Sequence, residues 1–134
     1  MYLALLNSDE KEMFLGLAYN LATVDGDYSD EEKNVIIGYC QEMQCEFDEK
    51  TMIKPNEHIL NKINAISDKR AKKIVIFELI GLAMADGKYD DNERELLKKL
   101  AEGFNIELSF LKKCENELDR YIEFQVQLNK LVLE

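Results

Sequence analysis

The chain has 134 residues, of which 46% are hydrophobic and 33% charged, a globular balance that is long enough to bury a core without disulfides or metals. Its formal net charge of −10 argues against nucleic acid and anionic membrane surfaces as partners, because both attract clustered Lys and Arg. No stretch approaches the roughly 20 apolar residues of a membrane span, and the first residues lack the basic region of a signal peptide. We therefore expect a single cytoplasmic domain over residues 1–134.

Chemically reactive side chains form no catalytic constellation in this sequence. The three cysteines contain no CxxC pair, which fits a reducing compartment, and Cys40 and Cys114 lie in helical patterns where a free cysteine behaves as a small buried hydrophobe. His58 is the only histidine, without a second His, Ser or Cys at a recognisable spacing, and a Gly-rich phosphate loop is absent. We expect no catalytic residue, no bound organic cofactor and no enzymatic activity.

The pattern of apolar residues predicts an all-α fold. Apolar side chains recur at helical spacing almost everywhere, and no stretch alternates convincingly with a period of two. The predicted helices, about seven, cover in chain order residues 9–24, 30–44, 47–53, 57–65, 68–85, 91–104 and 107–132.

Three local features define these boundaries. Asn7 followed by Glu10 has the spacing of a capping box and opens the first helix, whose predicted inner stripe is Met13, Leu17, Leu21 and Val24. Ser67 is the predicted cap of the fifth helix, whose first turn, residues 69–73, is basic and is expected to be solvated. The same helix is apolar nearly all round after that turn, so we expect it at the centre of the bundle. A kink or break of the last helix is expected near Asp119.

The sequence repeats itself at an offset of 61 residues. The stretches 21–32 and 82–93 share seven of twelve residues, and the similarity extends over residues 13–50 and 74–111. The repeated unit is predicted to be a helix, an Asp-Gly turn, a second helix and a short helix. Two units are too few for a solenoid, so we expect a compact, pseudo-symmetric pair.

Most of the repeated turn is explained by the way helices end and begin. Gly26 and Gly87 follow the last helical residues, where a glycine adopts the left-handed conformation without strain. Ser29 and Asp90 are predicted to cap the following helices, with a glutamate at the third helical position reaching back to each cap. These two glutamates are Glu32 and Glu93.

Asp25 and its repeat counterpart Asp86 are the residues that helix signals leave unexplained. A carboxylate near the end of a helix faces the negative end of the macrodipole, which is unfavourable by roughly 0.3–1 kcal/mol. One interpretation is structural: each Asp accepts hydrogen bonds from backbone N–H groups of its own turn or of the next helix.

The other interpretation is a weak site for a divalent cation, Ca²⁺ or Mg²⁺. Asp-Gly-x-Tyr-x-x-x-Glu matches the second half of a calcium loop, although Leu and Thr or Leu and Met stand where the first two ligands belong. The candidate metal ligands are Asp25, Glu32, Asp86 and Glu93. Both interpretations remain open at the level of the sequence.

The doubled motif L-A-x-x-D-G-x-Y-x-x-x-E on an acidic, helical chain resembles the tellurite-resistance TerB family and the related N-terminal domain of DjlA-type co-chaperones. The resemblance covers residues 13–111 and rests most specifically on Asp25, Gly26 and Glu32 and on Asp86, Gly87 and Glu93. One departure is Val24, which stands before the first Asp where Ala85 stands before the second.

The resemblance implies a compact bundle of about seven helices, a bacterial cytosolic stress-response setting, acidic clusters that hold metal ions, and work in protein complexes rather than in catalysis. We therefore expect a protein partner and a weak homo-oligomer. The alternative is a purely structural interaction module in which the turns are helix junctions without a metal.

Overall fold

The computed structural model describes residues 1–24, 26, 28–85, 87 and 89–134. This part of the chain contains helices and no strand, so the predicted all-α bundle is confirmed. A short 3-10 helix, Leu3–Leu5, precedes seven α-helices: α1 Ser8–Ala22, α2 Asp30–Glu42, α3 Glu49–Met52, α4 Asn56–Ile66, α5 Lys69–Met84, α6 Asp91–Gly103 and α7 Leu108–Leu133.

The helix starts follow their caps, with one correction. The capping box of α1 is present: Asn7 Oδ1 accepts from the N–H of Glu10 and Glu10 Oε1 accepts from the N–H of Asn7, each at 2.9 Å. At α5 the cap is Asp68, whose Oδ1 accepts from the N–H of Ala71 at 2.8 Å, so the predicted cap Ser67 is wrong. The Ser67 hydroxyl instead donates to Glu10 Oε2 at 2.6 Å and joins the end of α4 to the start of α1.

The core is built around α5, as its apolar sequence predicts. This helix contacts α1, α2, α6, α7 and the 3-10 helix, and burial of its apolar side chains removes surface from water on all these sides. On α1, Phe14 is fully buried and lies edge-on to the Tyr39 ring at 5.2 Å between centroids. The predicted inner position of Val24 is wrong: its side chain is 41% exposed, because α1 ends two residues earlier and the turn leaves the helical path.

The two repeats have matching helix bounds and backbone conformations. The bounds of α2 and α6 lie 61 residues apart at both ends. Gln44 and Asn105, also 61 apart, both have positive φ, 56° and 58°, in the turn that follows each helix. The fourth members differ, since α3 has 4 residues and α7 has 26. The pseudo-symmetric packing of the two units stays a prediction.

Helix α7 extends beyond the body of the bundle. Its residues Leu111, Cys114 and Leu118 are buried, whereas every residue from 119 to 134 is exposed. The expected break near Asp119 is wrong, because the helix continues through it to Leu133. Among the described residues, none of the helices combines the length and the apolar character needed to cross a membrane.

Candidate functional site

Each repeated turn contains a glycine in the left-handed backbone conformation and is followed by a capping box. Gly26 and Gly87 have φ values of 80° and 76°, and their N–H groups donate to the carbonyls of Thr23 and Met84 at 2.9 and 3.2 Å. The prediction that glycine is needed here for its conformation is therefore confirmed.

The glutamates that follow the turns are buried and engaged at the helix starts. Glu32 is 5% exposed and Glu93 4% exposed. Oε1 of Glu32 accepts from the N–H and hydroxyl of Ser29 at 3.3 and 3.1 Å, and Oε1 of Glu93 accepts from the N–H of Asp90 at 3.2 Å. The helix N-terminus, with its partial positive charge, makes this burial of a carboxylate tolerable.

Of the four predicted metal ligands, the structure describes two. Asp25 and Asp86 lie outside the described residues, as do Asp27 and Lys88. Within the described ranges, no group of three or more His, Cys, Asp or Glu side chains is placed to hold a metal ion. The sites built on Asp25 with Glu32 and on Asp86 with Glu93 therefore stay predictions.

The tyrosines of the two turns have different surroundings. The hydroxyl oxygen of Tyr28 is buried and has no hydrogen-bond partner among the described residues, although its ring is partly exposed and lies edge-on to Tyr19 at 5.7 Å. Burial, and then the charges of nearby groups headed by Glu49, raise the pKa of Tyr28 to about 12. The hydroxyl of Tyr89, by contrast, donates to Glu115 Oε2 at 3.2 Å.

A compact cluster of Tyr89 and two charged side chains, Arg94 and Glu115, follows the second turn. The Arg94 guanidinium lies 3.9 Å from the centroid of the Tyr89 ring, a cation–π contact, and its Nη1 is 3.5 Å from Glu115 Oε1. Burial, followed by the Glu115 charge, raises the pKa of Tyr89 well above its usual range. Sequence analysis missed this cluster because Glu115 belongs to α7 and has no repeat counterpart of the same charge: Lys54 stands 61 residues earlier.

Two further glutamates, Glu78 of α5 and Glu42 of α2, bind the first residues of the chain. Glu78 is 5% exposed, and its Oε1 accepts from the Met1 ammonium at 2.9 Å and from the N–H of Tyr2 at 2.8 Å. Glu42 accepts from the same ammonium at 3.2 Å and from the N–H of Leu3 at 3.0 Å. Burial alone lowers the pKa of this amine, but the bonds and charges of both glutamates outweigh it, so that its pKa is raised. One sequence signal was available, since Glu78 is the lone charge in the apolar run of α5.

Two grooves flank α7 where it leaves the body. One, of about 810 Å³, opens beside the second Asp-Gly turn and is lined by Tyr89, Arg94 and Glu115. The other, of about 890 Å³, lies between α5 and α7; its lining combines apolar side chains such as Phe77 with four basic ones, Lys69, Arg70, Lys73 and Lys113. Tyr121 lines both grooves.

The three free cysteines differ in how far their side chains are exposed to solvent. Cys40 and Cys114 are buried, as predicted, and Cys45 is exposed. Burial, reinforced by neighbouring Cys45, raises the pKa of the Cys40 thiol to about 12, and burial beside Glu115 raises that of Cys114 to about 11. A nucleophilic cysteine needs a lowered pKa, so the chemistry of these two thiols is that of core side chains.

The helix order, the bounds of the repeats and the buried capping glutamates define an all-α bundle with a repeated helix pair. The fold is that of a tellurite resistance protein from Nostoc punctiforme PCC 73102: the crystal structure of that protein matches this chain with a TM-score of 0.69 and 18% identity over 96% of this chain and 84% of the other. No protein-family model matches the sequence, and no curated protein is significantly similar to it. The resemblance recognised in the doubled motif is thus supported at the level of the fold.

Proposed function

We propose that this chain is a non-enzymatic, cytoplasmic TerB-like domain that works in a bacterial stress response, binds a divalent cation at its Asp-Gly turns and docks a protein partner. The observation that carries the cation site is the pair of buried glutamates, Glu32 and Glu93. Each lies one turn into a helix that follows an Asp-Gly-x-Tyr turn. The fold shared with a tellurite resistance protein supports the stress-response setting.

The chemistry of the donors fits a hard cation. Carboxylates are the ligands that Ca²⁺ and Mg²⁺ prefer, and a carboxylate that accepts a hydrogen bond keeps further lone pairs for a metal. Glu32 and Asp25 would hold the ion at the first turn, and Glu93 and Asp86 at the second. The cation would offset the unfavourable placement of an aspartate beside a helix C-terminus.

Calorimetric and thermal titration of the full chain with Ca²⁺ and Mg²⁺ tests the proposal. A ligand at about 100 times its Kd stabilises the folded state by about 2.7 kcal/mol, so millimolar metal should raise Tm and chelation by EDTA should lower it again. The double variants Asp25→Asn with Asp86→Asn, and Glu32→Gln with Glu93→Gln, should lose this response. Absence of heat and of any Tm shift at millimolar metal would contradict the site.

Glu10→Gln is the matched control. Glu10 is also buried, at 7% exposure, and also completes a capping box, but no Asp-Gly turn precedes it. Glutamine can serve in a capping box, so Glu10→Gln, Glu32→Gln and Glu93→Gln each keep a cap acceptor and lose the carboxylate charge. A loss of the metal response in Glu10→Gln equal to that in Glu32→Gln would show a general effect of acidic charge.

The alternative is a purely structural interaction module, and the complete capping boxes at α2 and α6 favour it. In that case the turns are helix junctions and metals leave Tm unchanged. Asp25→Asn and Asp86→Asn then change the free energy of unfolding by about 1 kcal/mol or less, because an amide oxygen can accept the same turn bonds.

A further inference from the structure

The last four turns of α7 present an apolar surface to solvent. Eight large apolar side chains of this segment, residues 119–134, are between 41% and 79% exposed: Tyr121, Ile122, Phe124, Val126, Leu128, Leu131, Val132 and Leu133. A contiguous exposed patch of this kind marks an interaction site. We call residues 119–134 the projecting segment.

The projecting segment is amphipathic. At 100° per residue, its six most polar residues fall in an arc of roughly 100°: Asp119, Arg120, Glu123, Gln127, Lys130 and Glu134. The apolar residues occupy roughly 220°, interrupted only by Gln125 and Asn129. A helix of about 15 residues without tertiary contacts is marginal in water, so this segment needs a partner for its apolar face.

The apolar face continues the stripe by which α7 packs on the body. The buried side chains Leu111, Cys114 and Leu118 are followed, at alternating spacings of three and four, by Tyr121, Gln125, Leu128 and Val132. This is the a/d pattern of a helix that pairs with another helix. The first half of the stripe meets α5 and α6, which contact α7, and the second half has no facing helix among the described residues.

We propose that the projecting segment pairs with the same segment of a second copy of this chain in an antiparallel helix pair. In this pair Tyr121 lies opposite Val132 of the second copy, and Gln125 lies opposite Leu128 of the second copy. The two-fold axis of the dimer produces the same two contacts again with the copies exchanged. Every seam position then has a partner, which is the self-complementarity that a symmetric dimer requires. Gln125 is the polar seam residue, of the kind that sets register at a cost in affinity.

The charges favour a second copy in this orientation. The projecting segment has three acidic and two basic residues, a net charge of −1 in a chain of −10, so the pairing surfaces repel each other little. The antiparallel register places the two bodies, which carry most of the negative charge of the chain, at opposite ends of the pair. A parallel register would instead bring these two acidic bodies together at one end, which is unfavourable.

The area is that of a weak interface. At roughly 150–200 Å² per large side chain, the exposed fractions amount to about 800 Å² per copy. A helix pair covers the seam and the positions beside it, about half of this surface, so pairing removes roughly 800–900 Å² in total, as in weak and transient interfaces. Because the body of each copy lies at the start of its segment, the end of the second copy's segment lies beside the two grooves that Tyr121 lines. A membrane surface is a poorer match, since interfacial helices carry mainly Lys and Arg on their polar face.

Sedimentation of the full chain from about 1 to 500 μM, which spans micromolar to submillimolar Kd values, tests the pairing. We expect a monomer–dimer equilibrium that Leu128→Asp shifts toward the monomer by at least about tenfold in Kd, because it places a carboxylate in the seam. Gln127→Asp is the matched control: it adds the same charge one residue away on the polar face and should leave Kd unchanged. Both positions are exposed, so both variants should keep the thermal unfolding of the body.

Disulfide trapping tests the orientation. Tyr121→Cys and Val132→Cys, each combined with Cys45→Ser to remove the exposed cysteine, should cross-link when mixed and oxidised. Neither should cross-link with itself, because in the antiparallel register the two copies of position 121 lie about 16 Å apart along the axis, too far for a disulfide.

Several outcomes would overturn the proposal. They are a monomer at every concentration, a dimer that Leu128→Asp leaves intact, self-cross-linking of Tyr121→Cys, or a monomer that floats with vesicles of phosphatidylcholine and phosphatidylglycerol. None of these variants touches the Asp-Gly turns, so the result is independent of the cation titration.

Discussion

The hydroxyl of Tyr89 donates a hydrogen bond of 3.2 Å to Oε2 of Glu115. Its repeat counterpart Tyr28 buries the same hydroxyl without a partner among the described residues. The difference arises because Glu115 of α7 accepts a hydrogen bond from Tyr89, whereas Glu49 of the short helix α3 lies near Tyr28 without bonding to its hydroxyl. One sequence motif thus gives two turns of different polarity.

Substitution of the two tyrosines by phenylalanine should have opposite effects. Tyr89→Phe removes a hydrogen bond to a charged group and should lower the free energy of unfolding by about 1–2 kcal/mol. Tyr28→Phe removes a buried hydroxyl whose desolvation is not compensated by a hydrogen bond. It should therefore be neutral or stabilising by up to about 1 kcal/mol. Urea denaturation of the two variants beside the wild type measures both. Equal losses would indicate that the Tyr28 hydroxyl has a partner.

The turn glycines should resist substitution for reasons of backbone conformation alone. A Cβ at Gly26 or Gly87 meets no described atom within 4 Å, but φ near 80° is strained for an L-residue. Gly26→Ala and Gly87→Ala should each cost about 1–2 kcal/mol, and Asn, which tolerates this region better, should cost less. Gly38→Ala is the control, because the space around it is also open and its φ is helical; as an exposed helical position it should gain about 0.5–1 kcal/mol.

Glu78→Gln should weaken the attachment of the first residues to α5. Glutamine keeps an acceptor for the N–H of Tyr2 but loses the charge that faces the Met1 ammonium, and a hydrogen bond to a charged group is worth about 1.5–3 kcal/mol. Thermal and urea unfolding measure the loss. Glu57→Gln, at an exposed position in the first turn of α4, should change stability by less than about 0.5 kcal/mol.

The three cysteines should differ in their rate of alkylation, and the two buried ones should make the stability of the protein depend on pH. At pH 8 iodoacetamide should modify Cys45 rapidly and Cys40 and Cys114 only after unfolding, because the thiolate is the nucleophile. The unfolded thiols ionise near pKa 9.0, the folded ones near about 12 and 11. Between these values the native state binds more protons, so stability should fall as pH rises above about 9. Cys40→Ala with Cys114→Ala should make this fall shallower; rapid alkylation of native Cys114 would contradict its burial.

Local signals in the sequence were sufficient for the helices and for the caps of α1, α2 and α6. Each capping box at α1, α2 and α6 is formed by residues within four positions of the sequence. Asn7, Ser29 and Asp90 could therefore be identified as caps without a structure. Where two cap residues adjoin, as at Ser67 and Asp68, local pattern could not choose between them. The choice depends on Glu10, which is 57 residues away and holds the Ser67 hydroxyl.

The candidate site shows the same division. Helix periodicity and end signals, which act over one or two turns, determined by themselves that this chain is an all-α bundle with a repeated Asp-Gly turn, and that the glutamate after each turn caps the start of the following helix. Only the tertiary structure decided that Glu115 completes one turn and not the other, that Glu78 holds the first residues, and that α7 leaves the body after Leu118. These are contacts between distant segments, and their free energy depends on which surfaces meet when the helices pack, which no local pattern contains.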